Sequence, residues 1–104
     1  MTQRDVEHTP DGRWIVVDGR RWRAQDPQLP EDVRARLLHH LGVGRSGVRT
    51  AKKAGDDAAV TAARALVQAA KTGLGERGAR WWEQSEDERR ARWEAALAEL
   101  DDAG

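Results

Sequence analysis

Gly55 divides two stretches of this chain whose apolar and small residues follow complementary helical spacings. Before it, Leu37, Leu41, Gly44, Val48 and Ala51 are spaced four and three residues apart in alternation; after it, Val60, Ala63, Val67, Ala70 and Leu74 are spaced three and four. Either spacing gathers its side chains on one face of an α-helix. Folded back at Gly55, the two faces pair Ala51 with Val60, Val48 with Ala63, Gly44 with Val67, Leu41 with Ala70 and Leu37 with Leu74. All but the last of these layers set a small residue against a larger one, which lets antiparallel helices approach closely without voids.

Capping residues bound the helices. Pro30 suits a first helical turn, and Glu31 and Asp32 put negative charge at its positive end, so the first helix is predicted over about 30–54. Asp56 or Asp57 caps a second, over about 57–73. Gly42 and Gly47 each weaken the first helix by roughly 1 kcal/mol, and whether it breaks between them is left open. A third helix is predicted over 86–100, since Ser85 and Glu88 have the spacing of a capping box. Trp93, Ala96, Leu97 and Leu100 share one of its faces, and Glu86 with Arg90 and Glu88 with Arg92 are expected as ion pairs on the other.

Upstream, two β-prone runs flank Asp18-Gly19, a dipeptide suited to a type I′ turn, so residues 13–24 are predicted to form a β-hairpin. One face then carries Ile15, Val17, Trp22 and Ala24, is expected to be buried, and requires a helix to pack on. The other carries Trp14 and Val16 beside Arg21 and Arg23, an arrangement in which guanidinium groups lie over the indole. Residues 1–10 are polar and unpatterned and are expected to be a disordered terminus. The reading is an α+β, mostly α, single domain over 11–104: an N-terminal β-hairpin, an antiparallel helical hairpin and a C-terminal helix.

Composition removes several function classes. With no cysteine in 104 residues, a disulfide framework, a thiolate nucleophile and cysteine-ligated zinc are excluded. The chain has two serines and no residues placed to complete a triad with either. His39-His40 are adjacent, whereas two metal ligands on one helix need spacing of three or four. Gly42-Val43-Gly44-Arg45-Ser46-Gly47 matches a dinucleotide fingerprint, but a helix precedes it where that chemistry needs a strand. The expectation is therefore no enzyme, no cofactor and no small-molecule substrate. Residues 1–5 lead into no apolar run, and no stretch approaches the ~20 apolar residues of a membrane helix, so a cytoplasmic protein without a membrane partner is expected.

Two interaction surfaces remain. Net charge is zero, yet residues 10–53 carry ten Lys or Arg against five Asp or Glu, and residues 54–104 carry seven against eleven. Such a dipolar chain is suited to holding itself together or to pairing with a copy of itself. Five tryptophans are the only aromatics. Trp22, Trp93 and one of Trp81 or Trp82 are expected in the core, and the surplus points to a protein–protein contact. Trp14, Trp81 and Trp82 with Arg77 and Arg80 are the candidates for it, with another protein or a second copy as partner. Trp81-Trp82 is read as an extended joint with one indole inward and one outward. The alternative is a nucleic-acid-binding accessory protein, using Arg45, Arg49, Lys52 and Lys53 as a basic helix stripe together with Arg21 and Arg23.

The runs DGRWIVVDGRRWRAQDP, from Asp11 to Pro27, and VQAAKTGLGERGARWWE, from Val67 to Glu83, resemble a group of small proteins of high-GC actinobacteria whose function is uncharacterised. Some members carry the label of a biopolymer transporter of the Tol type. That label implies membrane association, with which the lack of a long apolar run conflicts. The resemblance covers roughly Asp11 to Leu100 and carries no site residues with it.

Overall fold

A computed structural model describes residues 7–103. Strands β1 (Glu7–His8), β2 (Trp14–Val17) and β3 (Arg20–Arg23) form an antiparallel sheet in the order β1-β2-β3. Helices α1 (Glu31–Ala54) and α2 (Asp57–Leu74), a single 3-10 turn (Trp81–Glu83) and helix α3 (Glu86–Ala103) follow. The fold is mostly α with some β, as expected. Of the terminus read as disordered, residues 1–6 lie outside the described residues, and Glu7 and His8 pair with Val16 and Ile15 as a third strand.

Capping fixes the end of α1 and the starts of α2 and α3. Asp56 Oδ1 accepts the Ala59 N–H at 3.0 Å, and Gly55, at φ 68°, donates to the Lys52 carbonyl at 3.1 Å. Ser85 and Glu88 form the reciprocal box: the Ser85 N–H reaches Glu88 Oε1 at 2.8 Å and the Glu88 N–H reaches Ser85 Oγ at 3.2 Å. Those bonds to Ser85 hold the Glu88 carboxyl below its usual pKa. Glu88 is thereby committed at the cap, and the expected Glu88–Arg92 pair is replaced by a different bond for Arg92, described below. Glu86 and Arg90 make no ion pair among the described residues.

α1 runs unbroken through Gly42–Gly47 and packs antiparallel on α2. A Cβ at Gly44 would stand 2.9 Å from Val67 Cγ2 and 3.2 Å from the Val67 backbone nitrogen, so the Gly44–Val67 layer is a close helix–helix approach. One layer towards Gly55, Gly47 also faces Ala63, 3.3 Å from its Cβ by the same construction. At the far end the three helices converge on Gly73, where a Cβ would meet Ala96 Cβ and Leu37 Cδ2, each at 2.8 Å. Leu37, Leu74 and Leu100 are fully buried around this junction, and Leu66, Val67 and Trp93 pack against the cluster from outside. Trp93 is thus a half-buried flank of the core. Among the described residues no helix is long and apolar enough to cross a membrane.

The hairpin has the expected two-residue turn, with Asp18 at φ 50° and Gly19 at φ 77°, and the expected pairs Val17–Arg20, Ile15–Trp22 and Trp14–Arg23. Its inner face departs from expectation. Of its four residues, Ala24 at the base is buried, Ile15 and Val17 are half-buried, and Trp22, opposite Ile15, is 40% exposed with the Arg20 guanidinium 4.8 Å above its ring. The reason is that no described strand packs along a helix; the sheet is fastened to the helices through its base instead.

Two glycines in helices separate packing from propensity. A Cβ at Gly42 would meet no atom within 4 Å, so Gly42→Ala should stabilise the chain by ~0.5–1 kcal/mol. Gly73→Val should cost ~1–3 kcal/mol, because neither Ala96 nor Leu37 has room to yield. Urea melts of both variants check this, and a Gly73 variant as stable as the parent would mean that the helices do not converge at Gly73.

Candidate functional site

The site is built on a buried carboxylate. Asp26, in the link from β3 to α1, is 1% exposed, and its Oδ2 accepts from Arg92 Nη2 of α3 at 2.7 Å, with Arg89 Nε at 3.7 Å. Its Oδ1 accepts the Gln28 N–H at 2.8 Å, while its own N–H donates to the Leu74 carbonyl at the end of α2 at 2.9 Å. Arg92 also donates to the Gly73 carbonyl and to Gln84 Oε1. One residue therefore fixes the β3–α1 link, its carboxylate against α3 and its backbone N–H against α2.

Beside it stands a stack of tryptophans. Trp81 is 6% exposed and donates from Nε1 to the Ala24 carbonyl at 2.9 Å, closing the base of the hairpin onto the 3-10 turn. Trp82 sits edge-on to Trp81 with ring centres 5.2 Å apart and tilted against Trp14 at 5.6 Å. Guanidinium groups cover the stack: Arg21 over Trp14 at 4.6 Å, Arg13 and Arg23 over Trp82 at 5.2 and 5.9 Å, Arg89 over Trp81 at 5.3 Å. Arg23 also donates to the Gly78 carbonyl at 2.7 Å. Gly75, at φ 90°, leaves the space beneath, since a Cβ there would lie 3.0 Å from Trp81 Cδ1 and 3.2 Å from Asp26.

Because the sheet is held by its base, a gap remains between it and α1. This open cleft, about 860 Å³ in volume, has Ile15, Ala24 and Arg23 on the sheet side and Arg34, Leu38, Leu41 and Arg45 on the α1 side, with Trp81 and Glu76 also lining it. Leu38 is 42% exposed in its wall. On the sheet side the apolar surface continues outward, for Ile15 is the cross-strand neighbour of exposed Trp22.

The sequence-predicted residues are distributed unevenly over this geometry. Trp14, Trp81 and Trp82 are brought together, but as a fastening between sheet and helices, and Trp81-Trp82 is a 3-10 turn rather than an extended pair. Arg77 donates to the Glu76 carbonyl at 3.3 Å, and Arg80 stands 3.6 Å from Glu83. Arg45, Arg49, Lys52 and Lys53 are all exposed on α1, whereas Arg21 and Arg23 lie over the indoles. His40 is tied by Nε2 to Asp101 Oδ1 at 3.0 Å, linking α1 to the end of α3. Sequence reasoning missed Leu38, Ile15 and Arg34 as members of one cleft. The signal for Leu38 was its place one residue off the buried stripe of α1, beside Leu37.

No protein-family model, no curated protein and no solved structure matches the chain.

The two neighbouring indoles should separate in a melting experiment. Trp81→Ala removes a buried ring and leaves the Ala24 carbonyl without its donor, and should cost ~3–5 kcal/mol. Half-buried Trp82 should cost less than half of that as Trp82→Ala, with faster amide exchange confined to the sheet. Equal losses would show that both rings belong to one core.

Proposed function

We propose that this chain is a non-enzymatic protein-binding module and that the cleft between the sheet and α1 is its binding surface. The observation that supports this is the open inner face of the hairpin. Ile15, Leu38 and Leu41 line a concavity, and the apolar surface runs on to Trp22, so that exposed leucine and tryptophan are grouped rather than scattered. A macromolecular partner fits this form better than a small molecule does, since a small ligand is held by surrounding it on most sides. The partner is another protein or a second copy of the chain. A cytoplasmic setting suits a cysteine-free domain, and the likeness to small actinobacterial proteins belongs to the same proposal. A photo-crosslinking residue at position 38, introduced in the native host, should yield a discrete adduct, and the same residue at exposed Ala98 should yield none. Equal labelling at both positions would end this reading.

A second reading, nucleic-acid binding, is favoured by one observation. Arg45, Arg49, Lys52 and Lys53 are exposed and make no ion pair among the described residues. Replacing Arg45, Arg49 and Lys52 with Gln should then weaken binding to DNA or RNA and reduce its salt slope by about 0.7–0.9 per lost contact. A parent chain that shifts no duplex or single strand at low salt would exclude it.

A further inference from the structure

The α1 wall of the cleft carries a specific pattern. Arg34, Leu38, Leu41 and Arg45 line it in one row, spaced four, three and four residues apart. At ~1.5 Å per residue the two arginines bracket the leucines about 16 Å apart along the helix.

The charges of the cleft are unequal in their commitments. Asp11 accepts from Thr9 Oγ1 and from the Arg13 N–H, and these bonds hold its carboxyl below the usual range. Glu76 accepts from Gln25 Nε2 at 3.3 Å. Of the arginines, Arg23 is engaged with the Gly78 carbonyl and Trp82, and the two on α1 have less. Arg34 has Glu31 at 3.6 Å, an exposed carboxylate on its own helix, and its buried Nε has no acceptor among the described residues. Arg45 has no ion-pair partner among the described residues. Lys71 lies in the positive field at that end: burial lowers its pKa, and the Arg77 and Arg45 charges lower it further against the opposing pull of Glu76.

We infer that the cleft receives an acidic segment of another protein, with carboxylates on Arg34 and Arg45 and an apolar side chain between them against Leu38, Leu41 and Ile15. This rests on the reading of the cleft as a protein-binding surface and adds the chemistry of the partner. Arginine forks bind carboxylates through paired charge-assisted hydrogen bonds, which sets the partner's register as well as its affinity. The apolar contact between the two forks then selects against acidic segments that lack a large side chain.

The probes are two synthetic peptides, one alternating glutamate and leucine and one with lysine in place of each glutamate, titrated into the full chain labelled with 15N. The acidic peptide should shift the amides of Ile15, Ala24, Leu38 and Leu41 saturably, and the lysine peptide should not. Arg34→Gln and Arg45→Gln should each weaken the acidic peptide about tenfold, and Arg49→Gln less than twofold. Equal binding of both peptides would overturn the inference by showing apolar attraction with no recognition of charge, and shifts confined to Arg49, Lys52 and Lys53 would overturn it as mere charge attraction to the basic stripe. Dilution-dependent shifts of the cleft amides without peptide would overturn it in favour of a second copy. Adducts from position 38 combined with no response to the acidic peptide would refute the partner's chemistry alone; the absence of both would refute the cleft as well.

Discussion

The ion pair between Asp26 and Arg92 is the contact on which the rest of the arrangement depends. A carboxylate removed from water is tolerated only when its oxygens are matched by donors, and here Arg92 and the Gln28 N–H supply them. The pair spans 66 residues of sequence and joins the end of the sheet region to the last helix. It also fills the space where α2 ends, because the Asp26 N–H and Arg92 Nε take the Leu74 and Gly73 carbonyls that the helix leaves unbonded. Net energy is not its main contribution, since apolar replacements of buried pairs are often as stable. Removing one partner alone costs ~3–5 kcal/mol, and that asymmetry enforces one geometry.

That geometry places the tryptophans. Gly75 follows Leu74 with a positive φ and no side chain, so Trp81 and Asp26 both close on it and Trp81 reaches the Ala24 carbonyl. Arg89 completes the link, donating from Nε to the Trp81 carbonyl at 2.8 Å while its guanidinium lies over the same ring. The aromatic stack and the buried ion pair are therefore two halves of one joint. The two arginines that face Asp26 come from α3, where Arg92 looks, in sequence, like an exposed partner for Glu88.

The helical hairpin was legible because its information is periodic and local: Gly44 opposes Val67 as the spacing requires, and Gly55 and Ser85 sit at the ends they mark. The hairpin turn was legible for the same reason, since Asp18-Gly19 specifies positive φ wherever it occurs between strands. Asp26 was not, because an aspartate before proline reads as a turn residue, and nothing in its neighbourhood announces an arginine far along the chain. Trp22 belongs to the core only if an apolar sheet face must meet a helix. Here the sheet is anchored by the residues at its base, and the face is left open. The cleft was invisible for that reason: its walls come from residues 15 and 38, which no period connects.

Fastening a sheet at one end makes it a cantilever. The short ladder of β2 and β3 is stiff along its strands, but its attachment is a narrow one at Ala24, Trp81 and Trp82. Rotation about that attachment changes the distance from Ile15 to Leu38 without breaking a strand pair or unpacking the helices. The width of the cleft is therefore set at that attachment and not by packing of the described strands along a helix. An occupant that bridges the two walls would stop this motion, so the free energy of association includes the entropy lost by the whole hairpin as well as by the side chains it touches.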